Sequence, residues 1–186
     1  TPVRGVARDA AGGTLKLDDA EARFDAVVLA SHSDQSLAML EDASEAEREI
    51  LGAIPYQENA TLLHTDTSVL PRTRRAWSSW NYRIPRTRRD RVAVSYDMNI
   101  LQGFEDAPEE LIVSLGESAV DPAKVLRRLT WHHPLFTPEA MAAQKRKGEI
   151  SGVRNTWYAG AYWRYGFHED GVMSALDVTK QLGCPL

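Results

Sequence analysis

The chain has 186 residues, which is enough for one domain or for parts of two. Its hydrophobic fraction of 43% and charged fraction of 26% are ordinary for a globular chain with a core. The net charge of −4 argues against non-specific nucleic-acid binding, and no apolar run is long enough to predict a transmembrane helix. The single cysteine, Cys184, cannot form an internal disulfide, and no signal peptide is visible. We therefore expect a cytoplasmic protein.

The first 30 residues predict a small β-meander. A hairpin is expected around Gly12 and Gly13, because paired glycines between two apolar, alternating runs are typical of a tight turn. Residues 24–30 form an apolar run that predicts a buried strand.

Two helices are predicted after this strand. Ser33 is the expected N-cap of the first helix. Ser44 and Glu47 have the spacing of a capping box, which predicts a second helix over residues 45–54. His32 invites a catalytic interpretation, but we interpret it as a structural residue at the strand-to-helix return.

Residues 56–116 predict an antiparallel sheet, because their apolar runs alternate and turn residues separate them. The expected strands cover residues 60–65, 75–84, 91–101 and 111–115. The connections are rich in arginine, which could attract an acidic substrate or lipid head groups. We favour the alternative that these arginines lie in solvated turns. The basic cluster consists of Arg72, Arg74, Arg75, Arg83, Arg86, Arg88, Arg89 and Arg91.

The following segment predicts a strand and a helix. Residues 125–131 fit a strand, or a short helix followed by a strand. Thr137 is an expected N-cap with Pro138 at the first helical position, which predicts a helix over residues 138–147.

The last segment predicts a buried strand over residues 156–161, a short loop and a helix. Asp170 is the expected N-cap and Gly183 the expected stop of that helix. Its side chains form a broad apolar face. This face consists of Val172, Met173, Leu176, Val178 and Leu182.

The strand-to-helix connection is the strongest candidate for a binding site. The strand opens onto Gly160, and Glu169, Asp170 and Gly171 lie at the helix start. Glycines let a ligand approach the backbone, and the first N–H groups of a helix are free to bind it, so this connection could hold a polar cofactor. For Asp170, a plain helix cap is an equally good interpretation.

Two other site classes are weaker. Residue types for a metal site are present in His132, His133 and His168, but no metal-binding spacing such as His-x-x-x-His or Cys-x-x-Cys occurs. A nucleophilic hydrolase is not favoured either, since no Gly-x-Ser-x-Gly occurs.

The segment from Asn155 to Gly183 resembles the C-terminal cofactor motif of the flavin-containing amine oxidase superfamily. More narrowly, it is similar to the bacterial group of predicted NAD/FAD-binding proteins. Phe24-Asp-Ala-Val-Val-Leu-Ala-Ser-His-Ser-Asp-Gln-Ser-Leu37 resembles the strand-to-helix return of the FAD domain in that group. Trp131-His-His-Pro-Leu-Phe-Thr-Pro-Glu-Ala140 resembles a further motif of the same group.

The resemblance implies an α+β chain that combines an antiparallel substrate-domain sheet with the C-terminal strand and helix of a Rossmann-like FAD domain. It implies FAD-domain parts at residues 1–55 and 136–186 and a substrate domain at residues 56–135. It also implies flavin contacts in the last segment. These implied cofactor-binding residues are Gly160, Ala161, Glu169, Asp170, Gly171 and Val172. In many relatives the position of Ala161 is acidic, so the acidic contact is open.

By the same resemblance, aromatic residues of the sheet could line a substrate pocket, or they could form its core face. Trp77, Trp80, Tyr82 and Tyr96 are the candidates. Trp77 and Trp80 have opposite parity, so they cannot both face one side of a regular strand. Residues 56–116 contain no lysine. The lysine-held water of many amine oxidases therefore has no match here.

The resemblance predicts an FAD-dependent oxidoreductase that transfers a hydride from a small organic substrate to the flavin. The Gly-x-Gly-x-x-Gly motif of such enzymes is absent, and the chain begins at Thr1. We therefore expect a C-terminal portion of a longer flavoprotein that binds FAD weakly by itself. The alternative is a non-catalytic binding or scaffold module that retains the fold without the cofactor.

Overall fold

A computed structural model describes residues 1–84, 93–116 and 119–184. Helices and sheets are mixed along the chain, which confirms the α+β class. Among the residues described, no helix combines the length and the apolar character needed to cross a lipid bilayer.

The chain forms two compact units. One, here called the terminal unit, comprises Thr1–Gln57 and Pro134–Leu186, and the central unit comprises Glu58–His133. The strands are β1 (Gly5–Asp9), β2 (Gly12–Lys16), β3 (Glu21–Phe24), β4 (Val27–Leu29), β5 (Tyr56–His64), β6 (Trp80–Arg83), β7 (Ala93–Asp97), β8 (Ile112–Leu115), β9 (Val125–Pro134) and β10 (Thr156–Tyr158). The α-helices are α1 (Ser33–Met39), α2 (Glu45–Gly52), α3 (Met98–Gln102), α4 (Pro138–Gln144) and α5 (His168–Gln181).

In the terminal unit, β1, β2 and β3 form an antiparallel meander, as predicted. The predicted hairpin is confirmed, but its turn consists of Ala10 and Ala11, and Gly12 and Gly13 both belong to β2. A Cβ at Gly12 would overlap the Phe24 carbonyl oxygen, and one at Gly13 would lie 2.5 Å from Val27 Cγ2. The glycines therefore permit close packing of β2 rather than a turn.

The second sheet of the terminal unit pairs β4 with β10 in parallel. The predicted strand over residues 24–30 is wrong at its start, since Phe24 ends β3 and β4 begins only at Val27. Val27 and Leu29 are buried in the core, and Val28 between them is 43% exposed. This alternation shows that one face of the small sheet is covered and the other is open.

The helix caps follow local sequence with one exception. Ser44 and Glu47 form the predicted capping box of α2, and Thr137 caps α4 as predicted. The N-cap of α1 is His32 rather than Ser33. The reason is that the His32 carbonyl already accepts the first helical hydrogen bond, from Ser36 N–H at 2.8 Å. α4 ends at Gln144, three residues before the predicted end.

The sheet of the central unit has the strand order β6-β7-β8-β5-β9. The pairs β6–β7, β7–β8 and β8–β5 are antiparallel, which confirms the predicted sheet type. The predicted strand over 75–84 is mostly wrong, because Arg74–Ala76 forms a 3-10 turn and only Trp80–Arg83 is extended. Similarly, the strand predicted over 91–101 ends at Asp97, where α3 begins, and residues 91 and 92 lie outside the described part.

Of the alternatives for residues 125–131, the structure has a strand, β9, directly after a 3-10 turn at Pro122–Lys124. The core of the central unit packs on one face of the sheet. Its buried apolar members are Val69, Leu70, Ile112 and Val120.

Candidate functional site

The predicted cofactor segment begins where two parallel strands end at one edge of a sheet. The Ala159 N–H donates to the Leu29 carbonyl at 3.0 Å, which extends the pairing of β10 with β4 by one residue. Gly160 follows directly. Ligands of open α/β sheets bind at the carboxyl ends of parallel strands, so this edge is a reasonable place for a ligand.

The fold itself requires a glycine at position 160. A Cβ at this position would overlap the Tyr162 ring and lie 2.6 Å from its Cδ1 atom. The Gly160 N–H donates to Ser174 Oγ at 3.1 Å, which ties the turn to α5. The glycine is therefore needed by the fold at this turn, independently of any ligand.

Asp170 has a different position from the one predicted. α5 begins at His168 with Phe167 as its N-cap, so Asp170 is the third helical residue. Its buried Oδ2 accepts hydrogen bonds from the N–H groups of Phe167 at 3.0 Å and Tyr165 at 3.2 Å. Arg164 Nε lies 3.6 Å from Oδ1. The carboxylate thus fixes the loop before α5.

The structure brings the start of α5 against the turn after β10. An ideal Cβ at Gly171 would lie 3.9 Å from Ala161 Cβ, which is ordinary van der Waals distance. Glu169 is exposed and Val172 is 52% exposed. The first N–H groups of a helix have no intrahelical acceptor and carry partial positive charge. This surface can therefore bind an anionic or carbonyl-bearing group.

Two polar atoms in the same turn were not anticipated from the sequence. Tyr162 OH and Trp163 Nε1 are buried and have no hydrogen-bond partner among the described residues. Burial raises the pKa of Tyr162, so its hydroxyl keeps its proton. Both groups are donors, but their side chains belong to the buried core of the terminal unit. At its surface the turn therefore offers a polar cofactor such as FAD the first N–H groups of α5. On its Cβ side, however, Gly160 offers no space, because the Tyr162 ring fills it.

The apolar face of α5 is only partly covered. Val178 is buried, whereas Val172, Met173 and Leu182 are exposed. Gly183 follows the helix with a φ of 76°, so it is the predicted left-handed stop. Pro185, two residues after Gly183, lies outside the described residues.

A buried ionic cluster in the terminal unit was missed entirely. Arg8 donates to both oxygens of Glu47, at 2.5 and 2.8 Å, and Tyr158 OH donates to Glu47 Oε1 at 2.6 Å. Burial alone would raise the pKa of Glu47, but these bonds outweigh it and lower the pKa to about 2. Asp42 accepts from Arg8 Nε at 2.9 Å and also pairs with Arg154. Every partner is engaged, which indicates a structural role.

The aromatic candidates of the central unit divide into two groups. Trp80 is paired directly with Tyr96, and Tyr82 follows Trp80 by two residues, so these three side chains share one face of the sheet. It is opposite the face that carries buried Ile112. Trp80 and Tyr82 are more than half exposed. Trp77 precedes the strand, packs against the core and donates to the Pro71 carbonyl at 2.7 Å.

The other features singled out in the sequence are exposed or undescribed. Arg86, Arg88, Arg89 and Arg91 of the basic cluster lie outside the described residues. The remaining members are exposed, and Arg74 pairs with Glu110 at 3.3 Å. Across residues 1–84, 93–116 and 119–184, no group of three or more His, Cys, Asp and Glu side chains could hold a metal ion.

No protein-family model and no curated protein matches the chain. Solved structures do match in fold. A CLA-producing fatty acid isomerase from P. acnes has a TM-score of 0.68 and 16% identity, over 96% of this chain and 46% of its own. A protein assigned as a protoporphyrinogen oxidase from Exiguobacterium sp. 255-15 has a TM-score of 0.59 and 16% identity, over 98% and 46%. Cyclohexylamine oxidase from Brevibacterium oxydans IH-35A has a TM-score of 0.55 and 14% identity, over 98% and 48%.

All three are members of the flavin amine oxidase superfamily. The resemblance found in the sequence is therefore confirmed at the level of the fold. The chain spans about half the length of these structures.

Proposed function

We propose that the protein is part of an FAD-dependent oxidoreductase of the amine-oxidase type. The observation that carries this proposal is the position of the first turn of α5 beside Ala161 at the carboxyl edge of β10. The fold shared with flavin-superfamily structures supports it. In this proposal the terminal unit supplies the last strand and helix of a Rossmann-like FAD domain.

The proposal gives different roles to the residues of the segment. The N–H groups at the start of α5, with Glu169 and Val172 exposed beside them, contact the cofactor. Asp170 positions these groups by holding the loop through Tyr165 and Phe167. Bound FAD supplies the acceptor for a hydride, and a helix N-terminus stabilises negative charge on a group next to it.

The central unit is proposed to bind the substrate on the open face of its sheet. Trp80, Tyr82 and Tyr96 provide an exposed aromatic surface there, suited to an apolar part of a small organic molecule. Trp77 is not included, because its ring belongs to the core of that unit.

The test begins with the absorbance spectrum of the purified full-length protein, followed by titration with FAD monitored through flavin fluorescence. Val172→Asp adds a carboxylate directly after the first turn of α5, where it does not oppose the helix dipole but repels a bound anion. We expect it to weaken FAD binding about tenfold, a loss of about 1.4 kcal/mol. The matched control is Ala175→Asp, also exposed on α5 but in the next turn.

Equal affinities of the two variants for FAD would show that the start of α5 is not part of the cofactor site. A folded full-length protein that is colourless and takes up no FAD would contradict the flavoprotein proposal and favour the non-catalytic scaffold.

A further inference from the structure

Two carboxyl groups meet on the covered face of the central sheet. Asp97 ends β7 directly opposite Ile112 of β8. The pairing continues one residue further, where Met98 N–H donates to the Leu111 carbonyl at 2.8 Å. Residues two apart in an extended segment share a face, so Glu110 lies diagonally across from Asp97 on the same face as Ile112.

Two ionised carboxylates have no proton to donate, so a hydrogen bond between Asp97 and Glu110 requires that one of them is protonated. Asp97 is fully buried, and its Oδ1 accepts from Ile100 N–H at 3.1 Å. Its Oδ2 has no hydrogen-bond partner in the part of the chain that the structure describes. A buried acceptor without a donor costs free energy. A protonated Glu110 would supply the missing O–H, and its side chain is only 13% exposed.

We propose that Asp97 and Glu110 share one proton, and that loss of this proton as the pH rises releases the segment 105–111 from α3. In the closed form, Asn99 on α3 holds this segment at two points. Its Nδ2 donates to the Glu109 carbonyl and its Oδ1 accepts from Leu111 N–H, both at 3.0 Å. The segment is thus a pH-sensitive latch.

The segment forms part of the wall of a solvent-open cavity of about 500 Å³. The lining includes Thr67, Arg74, Asn99, Phe104, Glu109 and Glu110. Release of the segment would therefore change the shape of this cavity.

The surrounding charges favour this behaviour. Burial, together with the Asp97 carboxylate, raises the pKa of Glu110, and Arg74 opposes the shift. Arg74 is a weak counter-charge, since its side chain is 80% exposed and exposed pairs contribute little. Glu105 and Glu109 line the same cavity and add repulsion when Glu110 ionises.

The direction of the pH dependence follows from the raised pKa of Glu110. Glu110 is protonated when the segment 105–111 is closed against α3. The segment is therefore fully closed below the ordinary Glu pKa of 4.5. The closure weakens as the pH rises toward the raised pKa. Between these two values, opening releases one proton, so the opening equilibrium grows about tenfold per pH unit.

Hydrogen exchange of the Leu111 amide measures this opening in the wild-type chain. Its protection factor, which corrects for the pH dependence of intrinsic exchange, should fall about tenfold per pH unit in that window. Glu110→Gln keeps a donor for Asp97 Oδ2 without a titrating proton, so its protection should be independent of pH. Glu109→Gln, the matched control on the same cavity, should retain the wild-type profile.

A second measurement does not depend on the fold of the Glu110 variant. A ¹³C NMR titration of the wild-type carboxyl groups should place Glu110 above 4.5. In Asp97→Asn the amide can donate to an ionised Glu110, so its pKa should fall. A wild-type Glu110 that titrates at or below 4.5, or an unchanged pH profile in Glu110→Gln, would overturn the proposal.

Discussion

The Tyr158 hydroxyl donates a 2.6 Å hydrogen bond to Glu47 Oε1 from 111 positions further along the chain. Tyr158 belongs to the strand that leads into the candidate cofactor turn, and Glu47 is the capping-box residue of α2. Arg8 of β1 completes the group through both Glu47 oxygens. Three elements of the terminal unit are therefore joined behind the turn by one buried carboxylate.

Removal of that carboxylate should be costly. Glu47→Ala leaves the fully buried Arg8 guanidinium without its bidentate partner, and we expect the free energy of unfolding to fall by about 3–5 kcal/mol. Urea unfolding measures the change. The control, Glu45→Ala in the exposed first turn of the same helix, should change the stability by only about 0.5 kcal/mol. Similar small effects in both variants would show that the cluster contributes little.

Asp66 should make the stability depend on acid pH. Burial would raise its pKa, but the N–H groups of Asp121 and Ser68 and the Lys124 ammonium outweigh burial and lower the pKa to about 2. A lowered pKa gives stability that is present above the ordinary value of 3.8 and is lost as the pH falls toward 2. The expected loss is about 2 kcal/mol.

Urea midpoints measured between neutral pH and pH 2 test this dependence. Asp66→Asn should reduce this loss by about 2 kcal/mol, since the amide does not titrate, while Glu47, whose pKa is also lowered to about 2, still contributes. The exposed Asp25→Asn should retain the wild-type slope. A flat wild-type profile would contradict the prediction.

The covered face of the central sheet contains a polar chain that should be sensitive to truncation. His64 Nδ1 accepts from Asp66 N–H at 3.1 Å, so its Nε2 carries the proton that is donated to Ser114 Oγ at 2.8 Å. Ser114 bonds in turn to Ser95 at 2.7 Å. Ser114→Ala should cost about 1–3 kcal/mol by thermal or urea unfolding. Exposed Ser78→Ala should be neutral, and an equal effect of both would contradict a role for the chain.

Local chemistry explains what could be predicted from the sequence. The caps at Ser44 and Thr137 depend on neighbours three residues away, so the sequence alone determines them. The N-cap prediction for Asp170 is wrong because its carboxylate accepts from the N–H groups of Phe167 and Tyr165, which precede the helix, and not from the first-turn N–H groups that follow an N-cap. The pairing of Arg8 with Glu47 joins residues 39 positions apart, and no local pattern announces it.

The candidate site shows the same division. A strand, a glycine-containing turn and a helix bring Ala161 and Gly171 of the predicted cofactor segment close together, with an ideal Cβ at Gly171 3.9 Å from Ala161 Cβ. Their role as cofactor contacts stays a prediction. The sequence did not reveal that the Tyr162 ring occupies the space beside Gly160. The backbone path of the turn determines whether a side chain two residues away folds back onto it, and the sequence alone does not give that path.

Gly160→Ala separates the structural role of this glycine from a cofactor role. The new methyl group would overlap the Tyr162 ring, so we expect a destabilisation of about 1–3 kcal/mol even without FAD. Tyr162→Ala introduced alongside it removes the obstacle, so the cost of Gly160→Ala should fall in that background to the part that the φ of 159° imposes on any L residue. Urea unfolding of the four proteins forms a double-mutant cycle. A neutral Gly160→Ala in the cofactor-free protein would instead reserve the glycine for ligand approach.

Replacement of Trp77 and of Trp80 in the central unit should have different effects on stability. Trp77→Ala removes a ring packed on the core and its 2.7 Å hydrogen bond to Pro71, so stability should fall by about 2 kcal/mol or more. Trp80→Ala removes a 57% exposed ring from the open face, so stability should change by about 0.5 kcal/mol.

If this face binds an apolar ligand, Trp80→Ala should also abolish quenching of tryptophan fluorescence by a hydrophobic probe such as ANS, whereas Trp77→Phe should not. The reverse pattern of stabilities would place Trp80 in the core and remove the open face as a binding surface.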